Sequence, residues 1–238
     1  MKITNKIIDY IYSIYFNFHY LPFRQAIKMP IILNGAQLYA MKGTVKIESD
    51  FIRKGMIKLG MEGVYLFYPH RGVTWQNHGG CVIFSGECRI GAGSSLSISE
   101  KATLNIGSGF RNTYGLKLIV SRNILIGENC RFGWNVFIMD TNMHPLKDSI
   151  TNKRGSGGKD IIIGDYNWFS TNCVILPGVV TPSRVIVAMG SIVTRGNDYK
   201  SWCMYGGSPI KLLRENVYRD YNDDEDEMVF GPFKEDKS

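Results

Sequence analysis

The sequence lacks the patterns that mark the common nucleic-acid-binding and disulfide-rich classes of protein. No dense block of lysine and arginine, zinc-finger spacing or RNA-recognition string occurs in its 238 residues, so we expect no nucleic-acid partner. The five cysteines are dispersed and never spaced as Cys-x-x-Cys, which favours a reduced, cytoplasmic protein. A net charge of +7 still suits phosphate-rich partners such as anionic membrane surfaces and nucleotide cofactors.

The charge is unevenly distributed along the chain. Residues 215–238 hold nine acids and three bases, which leaves a net charge of +13 for residues 1–214. The body is therefore basic, and the acidic residues concentrate in a tail.

The N-terminal segment also lacks a long uninterrupted apolar run. Residues 1–33 are apolar and aromatic, but Asn17, His19, Pro22 and Arg24 interrupt them before the roughly 20 apolar residues of a membrane span accumulate. No small-residue cleavage site follows, which disfavours a signal peptide. We expect a short helix packed on the main domain. The alternative is a helix at the inner face of the membrane, giving peripheral membrane association, because basic residues stand beside aromatic ones here.

A period of six residues is the main positive signal in the sequence. Large apolar residues recur at this interval, with one exception, at Ile163, Phe169, Ile175, Thr181, Val187 and Val193. Small or β-branched residues mostly stand four positions after the first five of them, at Asn167, Cys173, Val179, Val185 and Ser191. This period fits neither a helix nor simple strand alternation, and it predicts a solenoid of short parallel strands. Each hexad would form one face of a triangular coil.

The register breaks between two runs of hexads. It begins at Ile126, Phe132 and Ile138 and resumes at Ile163, with a polar, Gly- and Ser-rich stretch over residues 139–160. Loops longer than about 12–15 residues are uncommon and usually functional or disordered. This stretch contains His144, one of only four histidines in the chain.

Several strings resemble the hexapeptide-repeat acyltransferases, particularly the bacterial sugar O-acetyltransferases of surface-polysaccharide pathways. They are FGWNVFIMDTNMH, IGDYNWFSTNCVILPGVV, VIVAMGSIVTRG and YGGSPIKLLR. The resemblance implies an enzyme with an all-β, left-handed parallel β-helix that assembles as a homotrimer. It also implies acetyl-CoA in the groove between neighbouring subunits, a carbohydrate acceptor, and a projecting loop that helps to form the active site.

On this basis we divide the chain into three parts. Residues 1–80 are expected to form an N-terminal cap of helix and strands. Residues 81–205 form the β-helix, with a loop over 139–160. Residues 206–238 form a short C-terminal helix, suggested by Pro209 near its first turn, followed by the acidic tail.

The catalytic base implied by the resemblance is His144, which stands directly before Pro145. An imidazole has an ordinary pKa of about 6.5 and can accept a hydroxyl proton near neutral pH. Asp140 could orient that imidazole, and Asn142 could contact sugar hydroxyls, although both residue types also favour turns. Asn112 corresponds to a substrate-binding asparagine or, equally, lies at a solvent-facing corner of the coil.

The resemblance also implies where the pantetheine arm of coenzyme A would lie. Trp168 is expected beside the arm or, alternatively, at the trimer interface. Small side chains would let the arm approach the solenoid at Ser170, Ala188 and Ser191.

The nucleotide end of coenzyme A would be held by basic residues near the end of the solenoid. Arg195, Lys211 and Arg214 are expected to contact its phosphates, or else to be ordinary solvated charges. Pro209 is expected near the adenine.

Three other functions share this fold or chemistry. A zinc hydratase would need three histidines, but His70, His78 and His144 lack the expected spacing, so we expect no metal. A non-catalytic scaffold would have no reason to keep the loop histidine. Transfer to an amine of an amino-sugar nucleotide, or to serine, is the third alternative, and the additional domains of such enzymes are not evident.

Overall fold

Most of the chain forms short strands, and these follow one another around a coil in the order that a six-residue repeat predicts. A computed structural model describes residues 3–61 and 72–221. Two helices come first, α1 (Ile3–Tyr20) and α2 (Phe23–Ala26), and twenty-two strands follow in three sheets of these described residues.

The three sheets each take every third strand along most of the coil. Sheet A contains, in spatial order, β1 (Ile31–Leu33), β4 (Ile57–Met61), β7 (Cys88–Gly91), β10 (Phe110–Asn112), β13 (Arg131–Phe132), β16 (Trp168–Phe169), β19 (Val185–Val187), β21 (Cys203–Gly206) and β22 (Lys211–Glu215). Sheet B contains β2 (Gln37–Met41), β5 (Val73–Asn77), β8 (Ser94–Ile98), β11 (Lys117–Val120), β14 (Phe137–Met139), β17 (Val174–Ile175) and β20 (Ile192–Val193). Sheet C contains β3 (Thr44–Ile47), β6 (Cys81–Phe84), β9 (Thr103–Ile106), β12 (Asn123–Ile126), β15 (Ile161–Ile163) and β18 (Val180–Thr181).

Hexads occupy successive faces of the coil, as predicted. Ile163, Phe169 and Ile175 are the last residues of strands on sheets C, A and B. Each is paired in parallel with the residue 18 positions later, Thr181, Val187 and Val193. Three hexads therefore complete one turn. The fold class is the predicted all-β, left-handed parallel β-helix.

Apolar side chains at the hexad positions stack along the axis of the coil. The rings of Phe110, Phe132 and Phe169 follow one another on sheet A with centroid separations of 5.1 and 5.0 Å, in edge-to-face contact. The residues four positions after the hexad starts are also buried: Asn167, Cys173, Val179, Val185 and Ser191. Large and small interior side chains thus alternate to fill a narrow triangular core.

The N-terminal helix α1 covers the open edge of sheet A. The Leu33 amide donates to Ser13 Oγ at 2.9 Å, and the Ile31 amide donates to Asn17 Oδ1 at 3.1 Å. Asn17 Nδ2 donates back to the Ile31 carbonyl at 2.7 Å, and the Phe16 ring packs edge-on to Trp75 at 5.0 Å. Polar side chains of the helix therefore replace the missing neighbour of β1. Neither helix in the described ranges has the length and apolar character needed to cross a bilayer.

The start of the β-helix differs from the predicted boundary at residue 81. Strands β1 to β5, over residues 31–77, already belong to the same three sheets. The early turns are not 18 residues long: Ile31 pairs with Ile57, 26 positions later, and Val82 pairs with Leu104, 22 positions later. The longer corners hide the six-residue period, so the expected separate strand cap is part of the coil.

The predicted C-terminal helix is also wrong within the described part of the chain. Residues Lys211–Glu215 form β22, which pairs antiparallel with β21 after a turn. The free edge of β21 offers backbone hydrogen bonds along its length, and these outweigh the modest helix preference of leucine and lysine. The acidic tail beyond residue 221 lies outside the described residues.

Candidate active site

The loop that interrupts the hexads leaves the coil at the corner between sheets B and C. Ile126 pairs with Ile163, 37 positions later, whereas the next turn takes 18 positions. The extra residues form a hairpin-like excursion with isolated antiparallel bridges between Thr141 and Gly158 and between Lys147 and Arg154. The loop therefore has backbone pairing of its own.

Asp140 anchors the base of this loop. Its side chain is fully buried, and its carboxylate accepts hydrogen bonds from the backbone amides of Ser121 at 2.7 Å and Arg122 at 2.8 Å. Burial raises the pKa of this carboxyl above its ordinary value, although the two amide hydrogen bonds oppose that shift. Both oxygens are engaged by the preceding turn of the coil. The expectation that Asp140 orients the catalytic imidazole is therefore wrong, and its role is structural.

His144 lies in the loop as an exposed residue. Its backbone amide donates to the Asn142 carbonyl at 2.6 Å, and Met143 between them adopts a positive φ of 58°. This tight turn is supported by Thr141 Oγ1, which accepts from the Met143 amide at 3.0 Å. Within the described residues the imidazole makes no hydrogen bond that would occupy its nitrogens. Asn142, also exposed, lies next to it.

Asn112 has a different position from the one predicted for a substrate ligand. Its side chain is 1% exposed and lies inside a corner of the coil. Its Nδ2 donates to the carbonyls of Gly133 at 2.8 Å and Phe132 at 3.2 Å, and its Oδ1 accepts from the Gly91 amide at 3.3 Å. It bridges three successive turns of the β-helix. Because this amide is buried with these partners, Asn112 is neither the predicted substrate ligand nor the predicted solvent-facing corner residue, although it does lie at a corner of the coil.

A basic cleft lies beside the base of the loop. It has a volume of about 450 Å³ and is lined by Lys159, Gly178, Val180, Arg195, Gly196, Asn197 and Tyr199. Gly178 has φ +83°, and a Cβ atom there would stand 2.8 Å from Lys159 Cδ and 3.2 Å from Arg195 Cδ. The two basic side chains therefore pass on either side of a position that only glycine fills easily.

Sequence reasoning found Arg195 but missed Lys159, Asn197 and Tyr199 in this cleft. Tyr199 is buried, donates to the Thr194 carbonyl at 2.9 Å, and has a pKa raised by that burial. The sequence could have predicted Lys159 in this cleft, because the 18-residue turn that pairs Ile162 with Val180 also brings Lys159 close to Gly178.

Small side chains form a column at the corner between sheets A and B. Ser170 and Ala188 are half-buried there, 18 positions apart, and their backbone amides donate to the carbonyls of Val187 and Tyr205. Gly206 continues the column, since a Cβ built on it would stand 3.0 Å from the Ala188 Cβ. Two of the three predicted small residues, Ser170 and Ala188, therefore lie next to each other, and Gly206, which sequence reasoning missed, extends the column.

Ser191 does not belong to that surface. It is fully buried, its hydroxyl donates to the Ala188 carbonyl at 2.6 Å, and it accepts from the Gly207 amide at 3.0 Å. The expectation that it contacts the pantetheine arm is wrong, because its side chain points into the coil and ties two turns together.

The remaining predicted cofactor residues lie near the C-terminal end of the coil. Trp168 is half-buried on sheet A, and the Arg219 guanidinium covers its ring at 4.9 Å. Pro209 is exposed in the turn before β22, while Lys211 and Arg214 are exposed on that strand rather than on a helix. Pro209, Lys211 and Arg214 therefore belong to the β21–β22 hairpin of sheet A, whereas Arg195 lines the cleft at the corner between sheets B and C.

No cluster of three or more potential metal ligands occurs in residues 3–61 and 72–221. His78 is exposed there, and His70 lies outside the described residues.

Comparison with known proteins relates the chain to O-acetyltransferases. The galactoside O-acetyltransferase of Lactococcus lactis is 28% identical over 112 residues, covering 47% of this chain and 53% of the relative. The polysialic acid O-acetyltransferase of Neisseria meningitidis is 31% identical over 91 residues, covering 38% and 39%. No family model matches the chain.

Among solved structures, the polysialic-acid-specific acetyltransferase NeuO is 25% identical with a TM-score of 0.49, covering 78% of this chain and 72% of that one. In sequence, the chain spans about half the length of the galactoside O-acetyltransferases that it matches, 53% in Lactococcus lactis and 59% in Escherichia coli.

Proposed function

Since this chain is a relative of the hexapeptide-repeat sugar O-acetyltransferases, we propose that it transfers an acetyl group from acetyl-CoA to a sugar hydroxyl. The acceptor would be a surface polysaccharide, such as an O-antigen or capsule, or its precursor. The observation that carries this proposal is the exposed His144, held on an anchored loop beside a basic cleft.

In the proposed reaction His144 acts as general base. Its imidazole accepts the proton of the acceptor hydroxyl while the hydroxyl oxygen attacks the carbonyl carbon of the thioester. The carbon–sulfur bond breaks when the tetrahedral intermediate collapses, and the imidazolium returns its proton to the departing thiolate. The products are the acetyl ester and free coenzyme A. Asn142, exposed next to His144, is placed to contact the acceptor.

The donor is proposed to lie along the column of Ser170 and Ala188, with Trp168 beside it. Lys211 and Arg214 would contact its phosphates, Pro209 would lie near its adenine, and Arg195 offers a further positive charge. No metal takes part in this proposal.

A homotrimer is part of the proposal because the proposed base and the proposed donor path lie at different corners of the coil. His144 and the cleft belong to the corner between sheets B and C, whereas Ser170 and Ala188 belong to the corner between sheets A and B. A threefold axis would bring the loop corner of one copy against the small-residue corner of its neighbour. Each groove would then contain residues of two copies.

The proposed site of action is the cytoplasm, at the inner face of the membrane. All five cysteines are free thiols, and four of them are buried. Buried thiols without disulfides suit a reducing compartment, where acetyl-CoA is also available.

The test is an acetyl-transfer assay on the purified full chain. The protein is incubated with acetyl-CoA and a panel of neutral, sialic-acid-containing and amino-sugar acceptors, and free thiol release and product mass are followed. We expect ester formation on a hydroxyl. Transfer only to an amine would support an amino-sugar N-acetyltransferase, and no thiol release with any acceptor would support a scaffold.

The matched variants in this assay are His144→Ala and His78→Ala, which both remove an exposed imidazole. We expect His144→Ala to lower the rate about 10²–10⁴-fold, as for loss of a general base, with an unchanged melting temperature. His78→Ala should retain the full rate. Near-normal turnover in folded His144→Ala would refute the assignment of the base.

A further inference from the structure

The solvent-facing side of α1 is almost entirely apolar. Between residues 6 and 20 its exposed large side chains are Ile7, Ile8, Tyr10, Ile11, Tyr12, Ile14, Tyr15 and Phe18, each with at least 36% of its surface accessible. Phe23 of α2 and Ile27 extend this apolar surface, and their side chains are 70% and 54% exposed. An exposed apolar surface of this extent on one element marks an interaction site.

The width of this face distinguishes it from an ordinary helix-packing stripe. At 100° per residue, the exposed apolar positions of α1 span about 200° of the helix circumference. A helix that packs on a single neighbouring element needs a stripe of only about 100°. The opposite side of α1 already packs on the coil through Ser13, Phe16 and Asn17. The free face therefore suits a medium that surrounds half of the helix.

The residues are sorted within the face in the way that a lipid–water boundary requires. Ile7, Ile11, Ile14 and Phe18 fall within about 60° of one another in the inner part of the face, and Tyr15 lies about 40° beyond Ile11, by the same helical spacing. Tyr10 and Tyr12 fall at its two margins, where a phenol ring can bury its carbons and keep its hydroxyl in water.

The charged side chains exposed around this face are positive. Lys6, Arg24 and Lys28 are exposed beside it. The only acid among residues 1–30 is Asp9, whose Oδ1 accepts from the Gly35 amide at 2.7 Å on the coil side of the helix. The imidazole within the arc, that of His19, is hydrogen-bonded to the Met41 carbonyl at 2.7 Å. An anionic surface complements this arrangement.

We propose that α1, with Phe23 and Ile27, lies on the surface of a membrane containing anionic phospholipid and inserts its apolar face at the headgroup boundary. The lysines and arginine contact the phosphate groups. The β-helix is then held beside the membrane by its N-terminal end, with its first turn next to the lipid. This inference does not depend on acetyl transfer.

Vesicle flotation of the full chain tests the proposal. Phosphatidylcholine vesicles with and without phosphatidylglycerol are mixed with the protein and floated on a density gradient. The wild-type chain should float with the phosphatidylglycerol vesicles and bind the neutral ones much more weakly. Failure to float with either kind of vesicle would overturn the proposal.

Charged substitutions locate the contact. Ile11→Asp and Phe18→Asp place a carboxylate at the centre of the face, and each should lower vesicle binding at least about 10-fold. Phe51→Asp is the matched control, because Phe51 is 87% exposed but lies outside α1 and α2. It should float like the wild type. Equal binding of all three variants would refute the assignment to α1.

The basic residues have their own prediction. Combined Lys6→Gln, Arg24→Gln and Lys28→Gln should lower binding to phosphatidylglycerol vesicles about 100-fold, as expected when three charges near an anionic surface are lost. Sedimentation velocity without lipid distinguishes a second copy as the occupant. If Ile11→Asp changes the oligomeric state while the wild type ignores vesicles, the face is a protein interface and the membrane proposal is wrong.

Discussion

The backbones of Asp140 and Lys159 meet at the base of the loop, where the Lys159 amide donates a hydrogen bond of 2.9 Å to the Asp140 carbonyl. The Asp140 carboxylate is fixed on the preceding turn of the coil, and the Lys159 side chain lines the basic cleft. The hydrogen bond between these two residues closes the base of the hairpin that carries His144 and fixes where the hairpin leaves the coil. The proposed base and the cleft are connected through the same short stretch of backbone.

Asn112→Ala separates a structural role from a substrate-binding role. The variant leaves the Gly133 carbonyl and the Gly91 amide without their side-chain partner inside the coil. We expect the free energy of unfolding to fall by about 1–3 kcal/mol, measured by urea denaturation. The Michaelis constant for the acceptor should stay unchanged below the melting temperature. A selective rise in that constant, with wild-type stability, would restore Asn112 as a substrate ligand.

Asp148 at the tip of the loop should titrate below an ordinary aspartate. The Thr151 amide and hydroxyl donate to its Oδ1 at 2.6 and 2.8 Å, and the Ile150 amide donates at 3.0 Å. These bonds lower the pKa of Asp148, with the Thr151 amide as the largest cause. Because they favour the carboxylate, their contribution to loop order is present above the unfolded pKa of about 3.9 and is lost as the pH falls through the folded value.

The measurement is an NMR titration of the Asp148 carboxyl carbon. Thr151→Val removes the hydroxyl donor and keeps the amide, so the pKa should rise part of the way toward the ordinary value. Thr141→Val, elsewhere in the loop, should leave it unchanged. A midpoint at or above about 3.9 in the wild type would show that the turn does not form in solution.

Lys211→Ala combined with Arg214→Ala tests the proposed phosphate site. Hydrogen bonds to charged groups contribute more than neutral ones, so loss of both contacts should raise the Michaelis constant for acetyl-CoA by roughly 10–100-fold. The turnover number at saturating donor should change little. Lys46→Ala removes an exposed base from β3 on sheet C and serves as the control. An unchanged constant in the double variant would move the phosphate site elsewhere, with the Lys159 and Arg195 cleft as the next candidate.

Ala188→Leu tests the proposed path of the pantetheine arm. Ala188 is half-buried between Ser170 and Gly206, and added bulk there would project from the corner of the coil. We expect a Michaelis constant for acetyl-CoA raised at least about 10-fold, because the arm could no longer approach the backbone. The melting temperature should stay close to that of the wild type. Met189→Leu, at an exposed neighbouring position, provides the comparison. Equal donor kinetics in both variants would exclude this corner as the donor path.

The sequence predicted the regular part of the fold well because side-chain period and coil geometry coincide there. The six hexad residues from Ile163 to Val193 each end a strand, in the expected order on three sheets. The loop was predictable from the same period, since it is the place where the period fails. The first turns were not predictable, because their corners vary in length: Ile31 pairs with Ile57 26 positions later, and Val82 pairs with Leu104 22 positions later.

Polar residues account for most errors in the site. Asp140, Asn112 and Ser191 all have the chemistry of functional residues, and all three are buried and bonded to backbone groups. Tight corners leave amides and carbonyls inside the coil, and short polar side chains satisfy them. A sequence shows the residue type but not which way the corner turns it. The exposed His144 and Asn142 were placed correctly in the loop because a long polar excursion has no interior to bury them.

The reversed direction of β22 bears on how the molecule behaves at high concentration. A parallel β-helix ends in a strand edge to which the first strand of another molecule could add, and repeated addition would build a fibre. On sheet A that edge is taken by an antiparallel strand whose five side chains, including Lys211, Arg214 and Glu215, are all exposed. Strand β1 at the other end is occupied by Ser13 and Asn17. The two ends of sheet A therefore do not match each other, and the charged side chains exposed on β22 disfavour the addition of a strand from another molecule.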